Sequence, residues 1–220
     1  MSAWRVDTAH GDAGAFHTGD PAAERSATIF TVHQPTLVLG STQPVNAVDD
    51  DAATRLGVEV VRRRSGGGAV LLVPGEFVWL DLVIPAGDPL WSEDVGRAML
   101  WVGELWLGVL SELGVRHASV HRGGLTTSQW SRQVCWAGVG TGEVMVHGAT
   151  PAGSKLVGIS QRRTRAYARF QTMCHLNWRP DWVAALVAEP RPSAADVAPL
   201  AACVPADATS VVDALVAALP

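Results

Sequence analysis

Residues 62–70 read RRRSGGGAV, in which three arginines and a serine lead directly into three consecutive glycines. Because the glycines carry no side chains, their backbone N–H groups can point at a ligand, and glycine also permits the positive φ that forms an anion-binding nest. The flanking Arg62 and Arg63 supply the positive charge that a carboxylate or a phosphate needs. The segment therefore indicates a site for an acyl or nucleotidyl anion.

A glycine-rich hairpin with solvated arginines is a second interpretation of the same nine residues. No Lys-Ser or Lys-Thr follows the glycines, so the segment does not match a phosphate-binding P-loop. A second glycine-rich stretch, GVGTG at residues 138–142, lacks the third glycine of the dinucleotide fingerprint and predicts a loop. Local chemistry alone leaves the anion site and the hairpin open.

Apolar runs on both sides of this segment predict a β-rich core. VEVV at 58–61 precedes it and AVLLV at 69–73 overlaps its end, which predicts two strands joined by a tight turn. PTLVLG at 35–40 and FVWLDLVI at 77–84 predict two more strands. Further short strands are expected at 134–137, 143–146 and 156–160.

Residues 92–113 carry the clearest helical pattern in the chain. Ser92 can cap the helix and Gly114 suits the position after its end. Apolar residues recur every three or four positions, at Val95, Met99, Val102, Trp106, Val109 and Leu113. Shorter helices are expected at 181–189 and 210–219. The predicted fold class is α+β, with a mixed, mostly antiparallel sheet and helices packed on it.

Composition divides the chain into three parts. Residues 1–30 are rich in Ala, Gly and His without periodicity, which predicts a loosely organised N-terminal lead-in. Residues 31–180 contain the predicted strands and form the main domain. Residues 181–220 are broken by prolines and predict a short alanine- and proline-rich helical tail that belongs to the same domain.

Charge and apolar content limit the partners and the compartment. A hydrophobic fraction of 48% predicts a globular protein, and a net charge of -4 gives no global positive field for nucleic acid or an anionic membrane. The chain has neither a spanning apolar run nor the residue order of a signal peptide, so we expect it to be cytoplasmic. Cys135, Cys174 and Cys203 are widely spaced, which predicts free thiols and no zinc site.

Residues 153–165 read GSKLVGISQRRTR and place Lys155 at the entrance of a predicted strand. An ammonium group near an apolar strand can stabilise negative charge as it develops on a phosphoryl or carbonyl oxygen. A solvated lysine at the end of a strand is the alternative interpretation. It is the commoner one for a lysine taken alone.

Taken together, RRRSGGGAV at 62–70 and KLVGISQ at 155–161 resemble the lipoate-protein ligase A family, whose relatives are the biotin ligases and octanoyltransferases. The order of the two motifs and TLVLGSTQ at 36–43 are also similar to the family. The resemblance implies that residues 31–180 form a biotin/lipoate-ligase-like catalytic domain. It also implies an elongated pocket for an eight-carbon acyl chain.

The resemblance further implies an activity and its partners. In the family's ligases, lipoate or octanoate reacts with ATP and Mg²⁺ to form an acyl-adenylate, which a lysine of an apo-lipoyl domain then attacks. The implied acceptors are the lipoyl domains of 2-oxoacid dehydrogenases or the glycine-cleavage H protein. Lys155 would hold the carboxyl or phosphoryl oxygens. The implied substrate-binding residues are Arg62, Arg63, Ser65, Gly66, Gly67, Gly68, Ala69, Gly158 and Glu143, although a solvated strand-edge carboxylate remains open for Glu143.

Two departures from the family leave other functions open. Leu71 and Leu72 follow the glycine segment where the ligases usually have a His-Asp pair, and the residues after Asn177 are too few for the ligases' additional C-terminal domain. A separate accessory subunit is one explanation. Another is an octanoyltransferase that takes the acyl group from acyl carrier protein as a thioester on Cys135. A non-catalytic acyl-binding member is a third.

Overall fold

Two β-sheets form the framework of this computed structural model, which describes residues 3–148 and 153–220. In chain order the strands are β1 (Arg5–Gly11), β2 (Ser26–Val32), β3 (Thr36–Leu39), β4 (Glu59–Arg62), β5 (Val70–Leu72), β6 (Phe77–Pro85), β7 (Ala118–Val120), β8 (Val144–Val146), β9 (Ser154–Arg163) and β10 (Tyr167–His175). The larger sheet has the order β1-β2-β6-β10-β9-β8-β7 and the smaller one β4-β3-β5.

Antiparallel pairing dominates the larger sheet, as the sequence predicts. Among its described strands β1 and β2 pair parallel, and the other neighbouring strands pair antiparallel. In the smaller sheet β3 pairs parallel with β4 and antiparallel with β5. The predicted α+β class with a mixed, mostly antiparallel sheet is therefore confirmed.

Six helices cover these sheets within the described residues. They are α1 (Ala13–Thr18), α2 (Asp50–Leu56), α3 (Val95–Glu112), α4 (Pro180–Leu186), α5 (Ala194–Val197) and α6 (Ala208–Ala217), with short 3₁₀ turns at Val45–Ala47, Cys135–Ala137 and Ala198–Leu200. None of the helices in the described part of the chain is long and apolar enough to cross a membrane.

The long helix α3 confirms the strongest helical prediction and corrects its start. Its N-terminal cap is Asp94, whose carboxylate accepts a hydrogen bond from the Arg97 N–H, and Ser92 lies outside the helix. Trp106 of α3 is fully buried in the core between the helix and the larger sheet, whereas Val95 at the helix start is 53% exposed. The apolar stripe therefore faces the core only from its second turn onward.

The segment before residue 31 is more ordered than its composition predicts. Residues 5–32 form β1, α1 and β2, whose strands extend the larger sheet at its edge, so the expected loose lead-in is wrong for this segment. Residues 1 and 2 of the predicted lead-in lie outside the described residues. Alternating exposure along β1 left no continuous apolar run for a sequence pattern to reveal. The division of the chain into three parts remains a prediction.

Two local predictions are also wrong. Residues 62–70 do not close a hairpin, because β4 and β5 lie on opposite sides of β3 and pair with it instead of with each other. The expected strand at residues 134–137 is instead a 3₁₀ turn at Cys135–Ala137, preceded by Val134 in extended conformation. Isolated bridging bonds hold this turn to the glycine segment, from the Ala69 N–H to the Gln133 carbonyl and from the Cys135 N–H to the Ala69 carbonyl.

A buried histidine at the end of β10, His175, predicts that the stability of the protein depends on pH. His175 packs against Trp136 and Trp178 at centroid distances of 4.5 and 4.7 Å. Burial lowers its pKa from 6.5 to about 3. The unfolded chain binds this proton near pH 6.5 and the folded chain only near pH 3, so the stabilisation is complete above about pH 6.5 and is lost as the pH falls.

We therefore expect the free energy of unfolding to fall by about 2 kcal/mol from pH 7 to pH 5, because His175 is protonated in the unfolded chain but not in the folded one. Denaturant unfolding at several pH values measures this slope. The His175→Phe variant should show a flatter slope over the same range, because phenylalanine keeps a ring in place but has no proton to bind. An equally steep slope in the variant would show that other groups cause the acid sensitivity.

Candidate active site

A cavity of about 750 Å³ is lined by residues from both sheets and from the loops between them. Its apolar side chains include Val70 and Leu72 of β5, Trp79 of β6 and Met173 of β10, which form an apolar wall. This wall can bury an extended alkyl chain. Polar groups occur at a few places along the cavity.

The glycine segment, residues 66–68, forms one side of the cavity. Backbone of β3 and of the loop before the 3₁₀ turn packs tightly against it and holds it there. A Cβ on Gly40 would lie 2.0 Å from the Gly67 carbonyl oxygen, so glycine is required at the end of β3. Gly67 itself has φ of 98°, a left-handed conformation that favours glycine. A Cβ on Gly68 would lie 2.6 Å from the backbone of Val134. Both contacts place the backbone of this segment at the edge of the cavity.

Arg62 and Arg63 hold the surrounding backbone. The Arg62 guanidinium donates to the carbonyls of Gly40 and Gln43 at 2.8 and 2.6 Å. The buried Arg63 guanidinium donates from Nη2 to the carbonyls of Gly66 and Gly68, both at 2.8 Å. The sequence suggested that these arginines present their charge to a ligand, whereas in the structure several of their donors fix the loops that border the cavity.

Lys155 is fully buried at one end of the cavity with a carboxylate partner. Its Nζ lies 2.7 Å from Oε2 of Glu143 and donates to the carbonyl of Cys135 at 3.1 Å. The side chains of Lys155 and Glu143 are only 1% and 6% exposed, so neither is solvated as the alternative interpretations had it. An ammonium has three N–H donors, and residues 3–148 and 153–220 supply acceptors for two of them, which leaves one for a substrate oxygen.

Backbone amides fix the position of Glu143. Its Oε2 accepts from the Gly140 N–H at 2.7 Å and its Oε1 accepts from the Ile159 N–H at 3.2 Å. Each carboxylate oxygen therefore has a backbone donor, and Oε2 also faces the Lys155 ammonium. This arrangement compensates the buried pair and holds the ammonium in place.

Trp136 packs beside the Lys155 ammonium, in space left open by a glycine of β9. The Lys155 Nζ lies 5.5 Å from the centroid of the Trp136 ring, within cation–π range. A Cβ on Gly158 would lie 3.1 Å from that ring, so Gly158 leaves the space that the indole fills. The two residues thus shape the cavity beside the ammonium.

The three cysteines are free thiols, as predicted, and only one of them lines the cavity. Cys135 lies on the 3₁₀ turn with its Sγ 3.8 Å from Nη2 of Arg63. Cys174 is buried in β10, where burial raises its pKa to about 12. Cys203 is exposed. A nucleophilic thiol in this cavity can therefore come only from Cys135 among the three.

Comparison with protein families gives a match over nearly the whole chain. The model of the lipoyl protein ligase A/B catalytic domain matches residues 15–219. The chain belongs to the lipoyl protein ligase A/B catalytic domain family. The match confirms the predicted family and shows an enzyme of the ligase or transferase type. A search of curated proteins by sequence finds no significant match.

Solved structures of lipoate-protein ligases have the same fold as this lipoyl ligase family member. A bi-partite lipoate protein ligase of Thermoplasma acidophilum, described with its E2 lipoyl domain, has a TM-score of 0.70 and 15% identity over 97% of this chain and 81% of its own. Lipoate-protein ligase A bound with ATP has a TM-score of 0.70 and 16% identity, covering 97% and 83%. LipL1 of P. falciparum in complex with lipoate has a TM-score of 0.67 and 11% identity, covering 98% and 61%.

The structure brings most of the predicted site residues of this family member into one cavity. Those that line it are Arg63, Gly66, Gly67, Gly68, Cys135, Glu143, Lys155 and Gly158. Arg62, Ser65 and Ala69 do not line it. The Ser65 hydroxyl lies 3.5 Å from that of Ser160, and Ala69 is buried, with its backbone bonded to residues 133 and 135.

Sequence reasoning missed the contribution of the N-terminal segment and of β10. His17 of α1 and Gln171 of β10 both line the cavity. His17 follows no motif, and its ring reaches the cavity only because β1 and β2 place α1 beside β6. Gln171 lies between the buried Phe170 and Thr172 in a strand that the sequence analysis did not predict. Polar and apolar residues do not alternate regularly along residues 167–175, so the local pattern gave no strand signal.

Proposed function

We propose that this chain attaches a lipoyl or octanoyl group to a lysine of lipoyl-domain proteins through an acyl-adenylate. The observation that carries the proposal is the buried Lys155 ammonium at the end of a largely apolar cavity, with one N–H donor left for a substrate oxygen. A medium-length acyl chain matches the apolar wall and its carboxyl group matches the ammonium. Family membership supports the same assignment.

The proposed reaction has two steps. The acid carboxylate first attacks the α-phosphorus of ATP, which forms an acyl–AMP anhydride and releases pyrophosphate. The acceptor lysine then attacks the acyl carbonyl as its free amine, an amide bond forms, AMP leaves with the bonding electron pair, and the amine's extra proton is released to solvent. Lys155 would stabilise the negative charge on the carboxyl and phosphoryl oxygens in both steps. The exposed N–H groups of the glycine segment are suited to the phosphate.

Mg²⁺ would enter this site chiefly with the nucleotide. Within residues 3–148 and 153–220 no group of three or more His, Cys, Asp or Glu side chains is placed to hold a metal ion. Magnesium in nucleotide sites usually takes one or two carboxylates together with the substrate phosphates. Glu143 lines the cavity, but both of its oxygens accept backbone N–H groups and Oε2 pairs with Lys155, so it does not fit a magnesium ligand and the nucleotide phosphates would hold such an ion.

The acceptors that we propose are apo-lipoyl domains of 2-oxoacid dehydrogenases or the glycine-cleavage H protein. The related ligase of Thermoplasma acidophilum is described with its E2 lipoyl domain and as bi-partite. That description also supports a separate accessory subunit for this chain. A cytoplasmic location, where such acceptors would be met, forms part of the proposal.

A thioester route is the second candidate, and the position of Cys135 favours it. Its Sγ borders the cavity, 3.8 Å from Nη2 of Arg63. The thiolate would attack the thioester of octanoyl-acyl carrier protein, release the carrier thiol and pass the octanoyl group to the acceptor lysine. Lys155 would then assist proton transfer at the same end of the cavity.

The Cys135→Ser variant distinguishes the two routes. For the adenylate route we expect the variant to keep within about threefold of the wild-type rate with lipoate and ATP, because serine is nearly isosteric and no covalent bond to sulfur forms. Acyl-AMP formation is measured by mass spectrometry without an acceptor. Two results together would reject the adenylate route in favour of the thioester. They are the loss of all modification in this variant and modification by the wild-type protein from octanoyl-acyl carrier protein without ATP.

A further inference from the structure

A polar pair interrupts the apolar wall of the cavity. The His17 ring stacks on Trp79 at a centroid distance of 4.5 Å and an interplanar angle of 25°. Its Nδ1 lies 3.2 Å from Nε2 of Gln171. Both side chains line the cavity, and neither takes part in the reaction steps described above.

The charge state of His17 makes it a neutral hydrogen-bond donor. Burial and the positive charges of Arg63 and Arg169 lower its pKa to about 3. The Gln171 amide nitrogen carries hydrogens and also faces the Asp81 carboxylate at 3.5 Å, so it donates to Nδ1 of the histidine. The ring proton therefore lies on Nε2. This Nε2–H has no hydrogen-bond acceptor within the part of the chain that the structure describes.

Strand register places the polar pair far from Lys155. Trp79, Met173 and Gly158 lie opposite one another on β6, β10 and β9. Neighbouring strands are about 4.8 Å apart and residues rise about 3.3 Å along a strand. Lys155 precedes Gly158 by three residues, so the backbone positions of Lys155 and Trp79 are about 14 Å apart. A substrate whose carboxyl group meets Lys155 can thus extend its far end toward Trp79 and His17.

We propose that His17 and Gln171 select the far end of the acyl chain and favour the dithiolane of a lipoyl group over the methyl end of an octanoyl group. This inference rests on the proposed acyl-transfer function. Dithiolane sulfur is a weak hydrogen-bond acceptor and makes favourable contacts with an aromatic ring such as that of Trp79. A methyl group offers no acceptor, so it leaves the Nε2–H of His17 without a partner in the filled cavity.

Direct binding of the two free acids to the full chain tests the inference without requiring turnover. Isothermal titration with lipoate and with octanoate gives the ratio of their dissociation constants. We expect lipoate to bind at least about threefold more tightly, the size of one weak hydrogen bond. The His17→Phe variant keeps a ring on Trp79 but removes the N–H, and it should bring the ratio close to one. Gln171→Met, which releases the His17 tautomer, should lower the ratio as well.

The matched control is His10→Phe, the same change at an exposed histidine of β1 outside the cavity, which should keep the wild-type ratio. Equal affinities of the wild type for the two acids, or an unchanged ratio in both His17→Phe and Gln171→Met, would overturn the inference and leave the proposed function intact. Failure of the wild type to bind either acid, in the presence or absence of ATP, would overturn both.

Discussion

The Lys155→Met variant should lose acyl transfer by a factor of about 10² to 10³, the usual cost of removing a group that stabilises developing charge. Methionine fills much of the same space but supplies no N–H donor. The ammonium lies 2.7 Å from Oε2 of Glu143 and donates to the Cys135 carbonyl, so its place in the cavity is fixed and a neutral side chain there supplies no positive charge. The initial rate of lipoyl-domain modification, followed by intact mass, measures the effect.

This substitution also removes the counter-ion of a buried carboxylate. Glu143 keeps its bonds to the backbone, but its charge has no partner at 6% exposure, and we expect a loss of about 3–5 kcal/mol in unfolding free energy. The Lys155→Met/Glu143→Gln double variant removes both charges and should recover part of that stability. It should remain inactive. Activity in the stable double variant would exclude a catalytic role for Lys155.

The Gly40→Ala variant should lower activity by about a hundredfold, because a displacement near 1 Å at a reacting group has that cost. The new Cβ would lie 2.0 Å from the carbonyl oxygen of Gly67. Neither atom can move without the backbone that carries it. The glycine segment must therefore shift away from β3. We also expect a loss of about 1–3 kcal/mol in stability from overpacking.

Gly108→Ala is the matched control for this steric prediction. Gly108 is an exposed position within α3, and a Cβ there meets no atom within 4 Å. Alanine should raise the unfolding free energy by about 0.5–1 kcal/mol, because glycine weakens a helix interior. Activity and thermal unfolding of both variants are compared in one series. Wild-type activity in Gly40→Ala would mean that the close approach of β3 to the glycine segment does not shape the site.

The sequence predicted β6 and the long helix because their residues are buried in a regular pattern, but it missed β10, the middle strand of the larger sheet. β6 is buried along almost its whole length and α3 presents a stripe from Met99 to Val109, so both carry strong periodic signals. The edge strand β1 is mostly exposed and carries no such signal. Its place in the sheet comes from pairing with β2, a contact between segments that a local pattern cannot reveal.

The candidate site was predictable where a motif carries the chemistry. Lys155 and the glycines lie in short segments of unusual composition, and the family match agrees with them. The roles of Arg62 and Arg63 were not predictable, because their acceptors are backbone carbonyls of loops that fold against them. His17 was missed for a similar reason, since only tertiary packing brings α1 to Trp79.

Intact mass spectrometry of an apo-lipoyl domain tests the central claim most directly. The domain is incubated with this chain and either lipoate, ATP and Mg²⁺ or octanoyl-acyl carrier protein, with the Lys155→Met/Glu143→Gln double variant as the control. We predict a mass increase of one lipoyl group on one lysine, dependent on ATP and absent with the double variant. An unmodified domain with both donors would contradict the claim that this chain transfers the acyl group.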